Sequence, residues 1–180
     1  MEPDLARRFE RLEATRGRAL GTLDGMDHAA LNRPPAPGKW SALQVLYHVI
    51  TAEALTLGYV RKKMQAGAAL PRAGVSSRLR LLAVQLVLAA PLRVRAPLAA
   101  SNVPPEIDAT GLRSRWDDVR RDLRDLLETF PAELVGRLVF RHPYAGLMTL
   151  AHALGHLQAH LDHHIPQVER ALRGSGVRAA

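Results

Sequence analysis

The chain of 180 residues contains no cysteine. That absence excludes a disulfide framework, a thiolate metal site and a cysteine nucleophile, so a bound metal must be held by nitrogen or oxygen. Aromatic residues are scarce at 4%. The chain therefore lacks the interleaving of basic residues with stacking rings that single-stranded nucleic-acid grooves use. No hydrophobic run is long enough to span a bilayer: the most apolar stretch, LLAVQLVLAAPL over 81–92, includes Gln85 and stops at Pro91. The N-terminal segment MEPDLARRFERLEATRGRAL reads as a charged amphipathic helix rather than a secretory signal. The expectation is a cytoplasmic protein without a membrane span.

Leucine, alanine and arginine dominate what is present, and all three keep most of their freedom in a helix. The formal net charge is +8, from 25 basic and 17 acidic residues. In RSRWDDVRRDLRDLLE (113–128) the arginines alternate with acids, the pattern of a solvated helix face with ion pairs one turn apart. No nucleic-acid partner is expected.

Four long helices are predicted. The first runs from Asp4, a candidate cap, to Leu23, with Leu5, Phe9, Leu12, Ala19, Leu20 and Leu23 as its apolar stripe. A proline-rich connection follows over 27–39. The second helix opens with Ser41 and Gln44 as a capping box and Trp40 as a hydrophobic staple toward Val45. It extends to Met64 and is apolar on nearly every side, which marks a central, buried helix. Residues 65–108 read as irregular, with a short apolar helix over 77–90. That piece suits packing on the bundle, a lid, a partner helix or a membrane-surface contact. The third long helix spans 110–129, with Leu112, Trp116, Val119, Leu123, Leu126 and Phe130 at bundle-seam spacing. A turn at 141–146 leads to the fourth helix, from Thr149 to Arg173, with Gly174 and Gly176 as stop signals. The fold expected is all-α: one helical-bundle domain over 1–174 and a loose tail over 175–180.

The fourth helix carries HALGHLQAHLDHH, five of the chain's eight histidines. Steps of four drift by roughly 40°, so His152, His156, His160 and His164 cannot all converge on one ion. Relative to the apolar stripe of Leu150, Leu154, Leu157, Leu161, Ile165, Val168 and Leu172, His164 lies roughly 60° away and His160 roughly 100°. Those two form a chelating pair on adjacent turns at the margin of the core. His152 and His163 fall far round and are expected at the surface. His156 is intermediate, a candidate pocket residue. Gln167 projects from the flank of His164. His48, in the middle of the buried second helix, is either a hydrogen-bonded core histidine or a third ligand.

These residues together resemble the DinB/YfiT-like superfamily of metalloenzymes, unrelated to the DNA polymerase of similar name. The resemblance rests on Trp40, Ser41, His48 and Glu53 in GKWSALQVLYHVITAE, and on His160, His163, His164 and Gln167 in HLQAHLDHHIPQ. FRHPYAGLMTL, which contains His142, also looks like the family's lead into its last helix, and His142 is a further candidate pocket residue. The resemblance implies an up-down-down-up four-helix bundle with a long crossover at about 65–108, and His48, His160 and His164 as ligands of a divalent metal. Imidazole ligands suit zinc first and nickel next. The implied function is a metal-dependent enzyme acting on a small molecule, as a low-molecular-weight-thiol S-transferase or a hydrolase, and a homodimer. The alternative is a non-catalytic stress-response or binding module whose metal site is structural or vestigial. Pro166 departs from the family pattern, and its missing N–H predicts a kink within one turn of His164.

Overall fold

The structure is a computed structural model and describes residues 1–75, 79, 82, 86, 102–142 and 146–174. Four long helices dominate: α1 (Pro3–Gly21), α3 (Ala42–Met64), α4 (Ala109–Glu128) and α5 (Leu150–Gly174). A five-residue helix, α2 (His28–Asn32), lies within the proline-rich connection, where Asp27 caps it by accepting from the N–H of Ala30. The segment before α5 forms a short hairpin, β1 (Phe140–His142) paired antiparallel with β2 (Gly146–Met148), with Phe140 opposite Met148. The expectation of a plain turn there missed these strands. Three residues per strand are too few for an alternating pattern to show in sequence.

Contacts between side chains fix the helix directions. Along α4 and α3, Arg115 meets Thr51, Arg120 meets Glu53 and Arg61 meets Asp122, so the two helices run parallel. Arg113 reaches Asp24 whereas Arg16 reaches Asp117, so α1 and α4 are antiparallel. His48 meets His160, while Leu57 and Val60 line a small core cavity with Leu150 and Ala153, so α3 and α5 are antiparallel. The bundle is therefore up-down-down-up.

Two parallel helices in succession need a crossover as long as the bundle. Its first end is tied down by Ala73 N–H to the Gly136 carbonyl (2.8 Å) and Leu138 N–H to the Pro71 carbonyl (2.9 Å). Its second end is held by Gln44, which donates to the Pro104 carbonyl, and by Asn32, which exchanges two bonds with the Ile107 backbone. Of the helix expected over 77–90, only Leu79, Leu82 and Leu86 fall among the described residues, and all three are helical. The tail over 175–180 lies outside them.

The helix ends follow local chemistry. Ser41 and Gln44 form the predicted capping box. The cap of α1 is Glu2, not Asp4: its carboxylate accepts from the N–H groups of Asp4 and Leu5, and Pro3 takes the first helical position, where a missing N–H costs nothing. Asp4 instead pairs with Arg7 and Arg8 in the first turn, and the Arg8 bond lowers its carboxyl below the usual value. Thr149 caps α5 by accepting from the His152 N–H. Gly174 closes α5 against Pro35, where a β-carbon would sit 2.7 Å from the proline ring. Pro166 lies inside α5, and the helix continues past it for two turns.

The core has two apolar clusters. One gathers Leu5, Phe9 and Leu12 with Leu57, Leu123 and Leu154; the other gathers Ala19 and Leu23 with Leu46, Trp116 and Leu161. A polar layer lies between them, made of Thr15, Glu53, Arg120 and Gln158, one from each of the four long helices and all buried. Glu53 accepts from Arg120 Nη2 (2.8 Å) and from Trp116 Nε1 (2.9 Å), and Gln158 donates to Thr15 (3.0 Å).

Candidate metal centre

The apolar surroundings of α3 and α5 bring three histidines together. Val45, Leu46, Val49 and Ile50 bury α3 around His48, which is 4% exposed. On α5, Leu161 and Val168 turn the next flank, with His160 and His164, toward α3. One nitrogen from each of His48, His160 and His164 lies within 4.8 Å of the others. His160 Nε2 is 3.3 Å from His48 Nε2 and 3.1 Å from His164 Nε2. The rings meet edge to face, with centroids 4.6 to 5.2 Å apart.

The donor set fits a divalent metal. Tetrahedral zinc with Zn–N bonds of about 2.05 Å sets N···N edges of about 3.3 Å, close to the two spacings found. Hydrogen bonding alone serves the cluster poorly. Gln167 Oε1 is 3.1 Å from His164 Nδ1, placed to accept its N–H, which leaves Nε2 of the neutral ring as a lone pair aimed inward. His160 Nε2 carries at most one proton and faces two other nitrogens, so one neutral contact stays unserved. A cation among the three satisfies all of them.

Burial keeps His160 and His164 neutral, the state a metal ligand requires. It pushes His164 down to about 3, with further repulsion from His48. His160 is held well below its ordinary value by burial and then by its histidine neighbours. Gln167 also reaches His163, its Nε2 lying 3.3 Å from His163 Nε2, so one amide steadies both halves of the histidine pair. The Trp40 ring lies 5.3 Å from His48, so the residue predicted as a staple also walls the site.

The row of histidines continues away from this set. His156 is buried, and its ring is 5.8 Å from that of His160. His142, on β1, meets His156 edge to face at 4.4 Å. Burial depresses both, His156 to about 3. Among the described residues neither joins the three-nitrogen cluster.

His152 and His163 were expected at the surface, and both are half-buried. A helical wheel gives the direction of a side chain but not what covers it; His163 is covered in part by His164, 5.1 Å away, and by Gln167. Glu53, the acid of the family motif, faces α4 rather than the histidines. Burial raises its carboxyl, opposed by Arg120 and the Trp116 N–H. Sequence reasoning did not find its partners. The available signal was an acid alone in an otherwise apolar helix, with Trp116 and Arg120 four apart on α4.

Three neutral imidazoles leave a divalent ion its full charge and at least one open position. No carboxylate among the described residues joins the cluster.

Comparison with known proteins places this geometry. A family profile described as the DinB superfamily matches residues 11–168. No curated protein matches. Among solved structures, a four-helix bundle protein called TT2238 is 22% identical, covers 92% of this chain and 98% of its own, and superposes with a TM-score of 0.59. YfiT from Bacillus subtilis, described as a probable metal-dependent hydrolase with an unusual four-helix bundle topology, is 20% identical, covers 99% of this chain and 91% of its own, and has a TM-score of 0.58. Both likenesses are of fold. The family match spans nearly the whole bundle, and the chain belongs to the DinB superfamily.

Proposed function

We propose that this protein is a metal-dependent enzyme acting on a small molecule, with His48, His160 and His164 as the ligands of one divalent ion, zinc before nickel. The observation that carries the reading is the meeting of three histidines from two helices, His48 and His164 buried and His160 half-buried, with two N···N spacings close to those of a tetrahedral ion. The YfiT likeness supports metal-dependent hydrolysis. A bound ion of this kind polarises an oxygen, or lowers the proton affinity of water or a thiol. That property serves hydrolysis and S-transfer from a low-molecular-weight thiol alike.

The protein's own groups do the positioning. Gln167 fixes the tautomer and orientation of His164, which keeps its Nε2 free for the metal. Trp40 limits water on the His48 side. His142 and His156, held neutral by burial, extend the row of imidazoles from the site toward the hairpin.

The test is to assay tag-free protein loaded with zinc or nickel against ester and amide substrates, and against an electrophile supplied with bacillithiol or mycothiol. Turnover in one panel, lost in His48→Ala, is the expected result. Metal-loaded protein inactive in both panels argues against an enzyme of either kind.

A further inference from the structure

The charge of this chain is not spread evenly. Between Glu53 and Glu106 there are eight arginines and lysines and no acid. The remaining 17 basic residues are balanced by the 17 acids, so this single stretch accounts for the whole net charge of +8. Arg61 is partly neutralised by Asp122, but Lys62, Lys63 and Arg72 form no ion pair among the described residues.

The same stretch exposes large apolar side chains. Val75, Leu79, Leu82 and Leu86 are each helical and are 75%, 61%, 52% and 63% exposed. Their steps of four, three and four are the spacing of one helix face, within about 60° on a wheel. Val135 is 52% exposed, and its loop is tied to the base of this face by the bond between Ala73 and Gly136. The face and the unpaired bases therefore sit on the same stretch of chain.

We infer that the exposed face of Val75, Leu79, Leu82 and Leu86 is a docking surface for an anionic lipid bilayer. These side chains would enter the boundary between headgroups and acyl chains, and Lys62, Lys63 and Arg72 would lie against acidic headgroups. Two other occupants fit less well. A two-fold contact between copies of this face would set basic stretch against basic stretch. A nucleic acid would use the charge but leave the leucines in water, and there is no aromatic residue between Val60 and Arg115 on which a base could stack. None of the three clustered histidines belongs to this stretch, so membrane docking and metal binding can be lost independently.

Flotation of the full-length, metal-loaded protein tests this, using phosphatidylcholine vesicles with and without about 30% phosphatidylglycerol. Binding to the anionic vesicles alone, released by about 0.5 M salt, is expected. Lys62→Glu/Lys63→Glu should weaken it by roughly 30-fold. Leu79→Ser/Leu82→Ser/Leu86→Ser should weaken it by about tenfold or more, while circular dichroism and metal content match the wild type. If the triple variant does not fold, Leu82→Ser alone provides the apolar arm. The inference is overturned by no binding to anionic vesicles, by equal binding to both vesicle types, or by serine variants that bind like the wild type. Loss of a dimer in the triple variant, or salt-sensitive retention on DNA, without vesicle binding by the wild type, would assign the face to a second copy or to nucleic acid instead.

Discussion

Removing the Glu53 carboxylate should destabilise the bundle severely without emptying the metal site. Glu53 and Arg120 are each 2% exposed, and their bond crosses from α3 to α4 in the polar layer. Glu53→Ala leaves the Arg120 guanidinium buried and the Trp116 N–H without its acceptor. Little else can compensate: Arg120 Nε and Nη1 already make no hydrogen bond, and Glu13 approaches only to 3.5 Å. Breaking a buried pair from one side costs about 3–5 kcal/mol. For a chain of this size that is a fall in Tm of roughly 6–20 °C. Glu53→Gln keeps the volume and an acceptor for Trp116, and should cost about 2 kcal/mol. Glu53→Leu/Arg120→Met removes both charges and should recover most of the loss. Urea unfolding of metal-free protein at neutral pH, followed by circular dichroism, measures all three. A cost below about 1 kcal/mol for Glu53→Ala would contradict this expectation, because a buried guanidinium would then tolerate having only Glu13, 3.5 Å away, as its partner. Retained metal stoichiometry in Glu53→Gln is the companion result, since the carboxylate faces away from the histidines.

Other perturbations probe the site and the helix that carries it. His156 and His164 are both depressed to about 3 when folded, so the unfolded chain takes up their protons first as pH falls. Their neutral burial contributes fully above about pH 6.5 and is lost progressively below it; at pH 5 the metal-free protein should be less stable by about 2 kcal/mol for each, measured by urea midpoints across pH. Gln167→Leu removes the acceptor on His164 Nδ1 and should weaken zinc binding about 10- to 100-fold in competition with a chelating dye, whereas unchanged affinity would show that the amide does not orient the ring. Pro166→Ala restores an N–H inside α5 and should raise stability by about 1–3 kcal/mol; a lower Tm would mean that the helix is shaped around the proline.

Much of the bundle was legible because it is written in short-range patterns. Leu112, Trp116, Val119, Leu123 and Leu126 repeat with the period of a helix and all lie in the core. Ser41 and Gln44 are three residues apart and cap α3 as that spacing requires. The angular drift along α5 singled out His160 and His164, and these two are brought to His48. What was not legible depends on neighbours that no single helix specifies. Trp116 and Arg120 meet Glu53 only because α3 and α4 are parallel. His152 and His163 have the wheel angle of surface residues, yet both are half-buried, His163 beneath His164 and Gln167. The contact between His142 and His156 needed the hairpin, whose strands are too short to leave a pattern.

His48, far away in sequence, is proposed to complete a metal site with His160 and His164. Metal content measured on tag-free protein after incubation with zinc tests it most directly, with His48→Ala and His152→Ala compared in parallel. One ion per chain is expected in the wild type and in His152→Ala, with loss of stoichiometric binding in His48→Ala. Wild type that binds no ion, or equal retention in the two variants, would contradict it.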